Sequence, residues 1–98
     1  MVFLTENWRP RRSVLFMPAS SDRALAKASS LGCDGMIFDL EDSVGSGEQE
    51  RARGNLLRLV RGADFGGRER VVRISSHATA GHEADLAVAL QCGADAIL

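Results

Sequence analysis

The chain has 98 residues, 45% of them hydrophobic and 26% charged, and a formal net charge of −1 from 12 Lys/Arg and 13 Asp/Glu. That length suits one small domain and the apolar content supports a core, which excludes a disordered segment. Balanced charge offers no basic field to nucleic acid or an anionic membrane surface, and no apolar run approaches the ~20 residues of a membrane-spanning helix.

The apolar start Met1-Val2-Phe3-Leu4 is interrupted by Glu6 and Asn7, too soon for a secretory signal, so residues 1–10 read as an N-terminal arm. The first strand is expected at Ser13-Val14-Leu15-Phe16-Met17, and a tight turn, Pro18-Ala19-Ser20-Ser21, leads from it into a helix N-terminus. Free N–H groups and the macrodipole there suit an anion. From Ser21 to Leu31 the residues Ala24, Leu25, Ala28 and Leu31 fall on one helical face, Ser20 or Ser21 can cap, and Gly32 supplies a left-handed stop.

A second strand is expected at Met36-Ile37-Phe38-Asp39-Leu40, with Glu41-Asp42-Ser43-Val44 at its C-terminal end. The next helix is expected after Ser46, with Gln49 completing a capping box, with Ala52, Leu56, Leu59 and Val60 toward the sheet, and with Gly62 as its end. Gly54 inside it costs about 1 kcal/mol. Val71-Val72-Arg73-Ile74 is the third strand, His82 to Gln91 the third helix, and Ala94-Asp95-Ala96-Ile97-Leu98 the fourth strand. Cys33 and Cys92 each end a helix far apart in sequence, which suits buried free thiols in a reducing cytoplasm.

Continuous apolar runs alternating with helical segments imply parallel strands joined by crossovers. Two folds remain, the (β/α)8 TIM barrel and the doubly wound sheet. The first strand is not followed by G-x-G-x-x-G, which favours the barrel. A complete barrel takes about 250 residues, so 1–98 is expected to be the N-terminal part of one barrel domain, with 11–98 supplying about three and a half βα units. Alone, such a piece would expose strand edges and apolar faces, and would be unstable, aggregated or held in an assembly.

Chemistry concentrates at Asp39, Glu41 and Asp42, because loops and helix N-termini converge on strand ends and acids there cost desolvation energy unless paired. A single Asp at such a place can be a mere cap; three acids together point to a site. Arg73 lies inside an apolar strand, where its fork needs a carboxylate partner such as Glu41, Asp42 or an acidic substrate. His77 and His82 flank the loop after that strand and could be ligands or bases, but their neighbours Ser75, Ser76, Thr79 and Gly81 favour exposed residues of a polar loop.

Four motifs in order, Arg11-Arg12-Ser13-Val14-Leu15-Phe16-Met17-Pro18-Ala19-Ser20, Met36-Ile37-Phe38-Asp39-Leu40-Glu41-Asp42-Ser43-Val44, Val71-Val72-Arg73-Ile74 and Gly93-Ala94-Asp95-Ala96-Ile97-Leu98, resemble the citrate lyase beta subunit family and its malyl-coenzyme A lyase and HpcH/HpaI aldolase relatives. The resemblance implies a trimeric or hexameric TIM-barrel enzyme that uses Mg2+ to make or break a carbon–carbon bond between a 2-oxo acid and an acetyl thioester. It implies that Arg73 holds the oxo acid's carboxylate, that Glu41 and Asp42 line the metal site and take part in catalysis, and that Phe16 and Lys27 contact coenzyme A. The direct metal ligands are expected beyond Leu98. The sequence differs from the family pattern at Ala19, where Gly is usual, at Ser75, where Asn is common, and at Ser21, where a basic residue is common although Arg23 is near.

The expected function is therefore Mg2+-dependent lysis of a citryl-, malyl- or related thioester of coenzyme A or an acyl carrier, in the cytoplasm, without nucleic acid or membrane partners. An aldolase of free hydroxy-oxo acids and a non-catalytic barrel fragment are the alternatives.

Overall fold

A computed structural model describes residues 2–4 and 13–98. Met1, residues 5–10 of the arm, and Arg11 and Arg12 of the first motif lie outside the described residues. The elements are β1 (Val2–Phe3), β2 (Val14–Pro18), α1 (Asp22–Lys27), β3 (Gly35–Asp39), α2 (Gln49–Asn55), β4 (Glu69–Arg73), α3 (His82–Gln91) and β5 (Ala96–Ile97). β2, β3, β4 and β5 are parallel neighbours in chain order, as the alternating pattern predicts.

The sheet's two faces decide between the two candidate folds. Met17, Met36, Phe38, Val72 and Ile97 pack in one core with Leu25, Ala28, Ala52, Leu56 and Ala89 from all three helical segments. The alternate residues Ile37, Val71 and Ala96 form a separate cluster on the other face. Helices on one face only, and no reversal of strand order, are the geometry of a barrel wall. A doubly wound sheet would carry helices on both faces and reverse its strand order.

Several local expectations change. β1 was not anticipated: Val2 pairs with Ile97 and Phe3 with Ala96, antiparallel, on the outer edge of β5. There it supplies partners that an edge strand otherwise lacks. Ser21 does cap α1, accepting from the Ala24 N–H at 3.2 Å. Gly32, however, is not left-handed; a 3-10 turn, Ala28–Ser30, follows α1, and the Arg68 guanidinium donates to the Ser29 and Leu31 carbonyls. A basic side chain thus satisfies the terminal acceptors that the Gly stop would have served.

The Ser46 capping box is absent as well. Gln49 accepts instead from the Gly47 N–H at 3.0 Å, and α2 starts at Gln49 with no side-chain cap. A π turn, Leu56–Val60, continues it, and Ala52, Leu56 and Val60 are buried while Leu59 is partly so. The helical segment stops at the turn Arg61–Gly62, as expected, without Gly62 entering the left-handed region. α3 has the expected bounds, and Gly93, at φ +85°, ends it.

β2 is an edge strand with Val14, Leu15 and Phe16 exposed, as expected of the open edge of a barrel piece. β3, between two parallel neighbours, is buried throughout. Both cysteines are buried free thiols.

Candidate active site

The strand ends place the site. Pro18, Asp39 and Arg73 stand in one row across β2, β3 and β4, on the same face as Ile37 and Val71 two residues earlier. Asp39 is 1% exposed and every contact to its carboxylate is a donor. Arg73 approaches it bidentately, Nε to Oδ1 at 2.9 Å and Nη2 to Oδ2 at 2.7 Å. The loop after β3 folds back on it, with the Glu41 N–H on Oδ1 at 2.8 Å and the Ser43 N–H and hydroxyl on Oδ2 at 2.9 and 2.6 Å.

Burial pushes the Asp39 carboxyl up, but the Arg73 fork, the Ser43 hydroxyl and the two backbone N–H groups outweigh it and hold the group well below the ordinary carboxylate range. Arg73 is shifted the opposite way, its charge favoured by the hydrogen bonds it donates to Asp39 against a smaller opposing effect of burial. Asp39 and Arg73 are both ionised across the pH range in which proteins work.

Sequence reasoning offered Glu41 and Asp42 as protein partners of Arg73, but the principal partner is Asp39. Glu41 Oε1 stays 3.9 Å from Arg73 Nε and Asp42 Oδ2 3.7 Å from Nη2, beyond hydrogen-bond length. Alternation carried the missing signal, because Asp39 and Arg73 each follow an inward apolar residue by two positions on adjacent strands. Asp39 leaves Arg73 Nη1 without a protein acceptor among the described contacts, on a side chain 24% exposed. The guanidinium is thereby fixed while retaining a donor edge for another carboxylate.

Phe16 is 57% exposed on the same face, and Arg73 lies over its ring, 5.1 Å from the centroid. Lys27 is exposed at the last position of α1, which runs back from the strand ends, so the structure does not bring it to the Arg73 group. Two residues absent from the sequence reading support the loop after β4. Asp85, buried on α3, accepts from Arg53 Nη1 at 2.8 Å and from the Ser75 N–H at 2.9 Å. Their signal was a charge on the buried stripe Asp85, Ala89, Cys92 of that helix.

Two open clefts meet at Glu41. One, of about 490 Å³, runs between Gln49, Arg53 and the Ser75–Gly81 loop. The other, of about 470 Å³, is lined by Glu41, Arg73, Ser76, His77 and His82. His82, expected in solvent, is half-buried instead, and its Nδ1 lies 3.0 Å from the Ser75 carbonyl oxygen.

Among the described residues, no group of three or more His, Cys, Asp or Glu is placed to hold a metal ion. Glu41 and Asp42 carry carboxylate oxygens of the kind Mg2+ accepts, and both lie within 4 Å of the Arg73 guanidinium.

Residues 12–98 match the family model described as HpcH/HpaI aldolase/citrate lyase. The chain belongs to that family. Among HpcH/HpaI relatives, a (3S)-malyl-CoA thioesterase of Cereibacter sphaeroides is 46% identical over 89 residues, 91% of this chain and 31% of that protein. The citrate lyase subunit beta of Leuconostoc mesenteroides is 33% identical over 91 residues, 93% of this chain and 30% of that protein. CitE of Mycobacterium tuberculosis, solved with magnesium, acetoacetate and coenzyme A, is 33% identical with a TM-score of 0.65, over 80% of this chain and 27% of that one. The chain thus spans less than a third of the length of these relatives. Its fold is part of the TIM barrel of the citrate lyase beta subunits.

Proposed function

We propose that the protein is a magnesium-dependent carbon–carbon lyase that cleaves a citryl-, malyl- or related acyl thioester to a 2-oxo acid and an acetyl thioester. The observation that carries this reading is the Arg73 fork, locked by Asp39 at the strand ends with Glu41 and Asp42 beside it. Magnesium-bound CitE supports the choice of metal.

Arg73 fixes the oxo acid's carboxylate through its remaining donor edge, so one end of the substrate is held before reaction. Asp39 acts through Arg73 as a positioning residue and keeps the guanidinium from swinging into solvent. Glu41 and Asp42 orient water around the cation, and Mg2+, when bound, polarises the oxo group as a Lewis acid. Phe16 offers an apolar ring to the coenzyme A thioester, and Lys27 a positive charge farther from the reacting bond. An acyl-carrier thioester would meet the same residues.

The reading includes residues 1–98 as the N-terminal part of one barrel domain, with 1–10 as its arm, and the direct metal ligands outside this segment. It also includes a trimer or hexamer in the cytoplasm. Two free thiols suit a reducing compartment. No described helix is long and apolar enough to cross a membrane.

The test is thiol-independent release of 2-oxo acid from malyl-, citramalyl- and citryl-coenzyme A by the protein purified at its native length. Mg2+-dependent cleavage, lost on chelation and reduced at least 100-fold by Arg73→Ala, is expected. No cleavage of any of the three would refute the reading, and cleavage of free hydroxy-oxo acids alone would point to the aldolase. The 46% identity to a (3S)-malyl-CoA thioesterase favours a second reading, hydrolysis of the same class of thioester.

A further inference from the structure

His82 is the one described imidazole with a fixed partner in the Arg73 cleft, and the lyase chemistry above does not use it. A carbonyl oxygen can only accept, so the 3.0 Å contact to Ser75 requires Nδ1 to carry the proton. In the neutral ring Nε2 is then a bare lone pair. The His77 ring packs edge-on at 5.3 Å and limits the ring's rotation. Asp85 holds the Ser75 N–H from the other side, so the carbonyl that orients His82 belongs to a residue that is itself anchored.

The titratable and charged groups of the cleft are Glu41 from the loop after β3, Arg73 from β4 and His77 from the loop after it, with Glu83 next on α3 itself.

We propose that His82 is the proton-accepting group of this cleft and equips the protein to hydrolyse an acyl thioester bound beside Arg73. The inference rests on the reading that the cleft takes such thioesters. A water molecule in the cleft gives one proton to Nε2 while its oxygen bonds to the thioester carbonyl carbon. The carbon–sulfur bond then breaks, and the departing thiolate takes the proton back from the imidazolium. A carboxylic acid and a thiol result, the acid ionises in solvent, and His82 returns to its starting tautomer. No oxidant or further reactant is consumed.

The experiment follows thiol release from malyl-coenzyme A by the native-length protein, and separately the release of 2-oxo acid. His82→Gln, which can still donate to Ser75, is expected to lower kcat for thiol release by about 100-fold or more with KM within threefold. Should that variant fail to fold, long-range ¹H–¹⁵N correlation of the wild-type histidines decides the matter, with the Nδ1–H tautomer expected for His82. Thiol release that is absent in the wild type, or unchanged in His82→Gln, would overturn the proposal, as would an Nε2–H tautomer. Hydrolysis without carbon–carbon cleavage would sink the lyase reading and leave His82 in place.

Discussion

Asp39→Asn isolates the interaction on which the site depends. Asn keeps the shape and one acceptor, so Arg73 Nε and the Glu41 N–H retain Oδ1. Its amide cannot accept, so Arg73 Nη2 and the Ser43 N–H face a donor where they had Oδ2. The Ser43 hydroxyl can rotate and accept, and loses little. Each stranded donor costs about 1–3 kcal/mol, more for a charge, but Arg73 is a quarter exposed and Asp42 stays near, so the expected loss is about 3 kcal/mol. In a barrel of about 250 residues that is a fall in Tm of roughly 6–12 °C. Urea unfolding of the full chain at neutral pH measures it as a lower midpoint at constant slope. The control is Asp42→Asn, whose side chain is 77% exposed and whose pairing is solvent-screened, with an expected effect below about 0.5 kcal/mol. A loss under about 1 kcal/mol for Asp39→Asn, or equal losses for both variants, would refute the assignment of Asp39 as the anchor.

Because the Asp39 pKa is depressed by folding, its stabilisation is complete above the unfolded value near pH 4 and drains away as pH falls toward its folded value. The urea midpoint should therefore decline between about pH 5 and 2.5, and that decline should flatten in Asp39→Asn. A parallel decline in both proteins would assign acid sensitivity to other carboxylates. Gly93→Ala, at φ +85°, should cost about 1 kcal/mol, whereas Gly32→Ala, with negative φ and open space, should be neutral or stabilising; equal thermal shifts would contradict the two helix ends described. Asp85→Ala strands the Arg53 guanidinium and the Ser75 N–H, and should cost about 3 kcal/mol in the same unfolding assay; a change below 1 kcal/mol would show that the loop holds without it. Burial raises the Cys92 thiol pKa, so Cys92 should resist an aromatic disulfide reagent until urea unfolds the chain, and rapid native labelling would contradict its burial.

Strand and helix identities were legible because each rests on a local period, and α3 shows it best, with both bounds as read. What the sequence hid was who satisfies whom across distance. Arg68 lies 37 residues from the Leu31 carbonyl it caps, and no local rule links them. Likewise the Ser46 box failed because Gly47, at φ +86°, turned the chain so that Gln49 met the N–H of Gly47. Arg73 was recognisable as a charge needing an acid, yet choosing Asp39 over Glu41 or Asp42 required the register that sets Asp39 beside it. Phe16 was correctly placed on a strand, but its exposure follows from β2 being an edge, which strand order reveals and composition does not. His82 was misplaced because a polar loop and a polar cleft wall have the same composition.

The buried ionic groups sit where they limit motion rather than where they add most to stability. Replacing Asp39 and Arg73 together by apolar residues of similar volume could leave the fold nearly as stable, since desolvation offsets much of what a buried pair gains. Neither apolar residue, however, could hold the Glu41–Ser43 loop by three further hydrogen bonds and also present a guanidinium edge at the strand ends. The Asp85 carboxylate does the matching job one strand over, tying the start of the loop after β4 to α2 through Arg53. The two acids thus immobilise the two loops that frame Glu41, Arg73 and His82. A site that must hold one end of a substrate still while a bond breaks at the other needs such fixed walls, and this chain builds them from one carboxylate at the end of β3 and one in the first turn of α3.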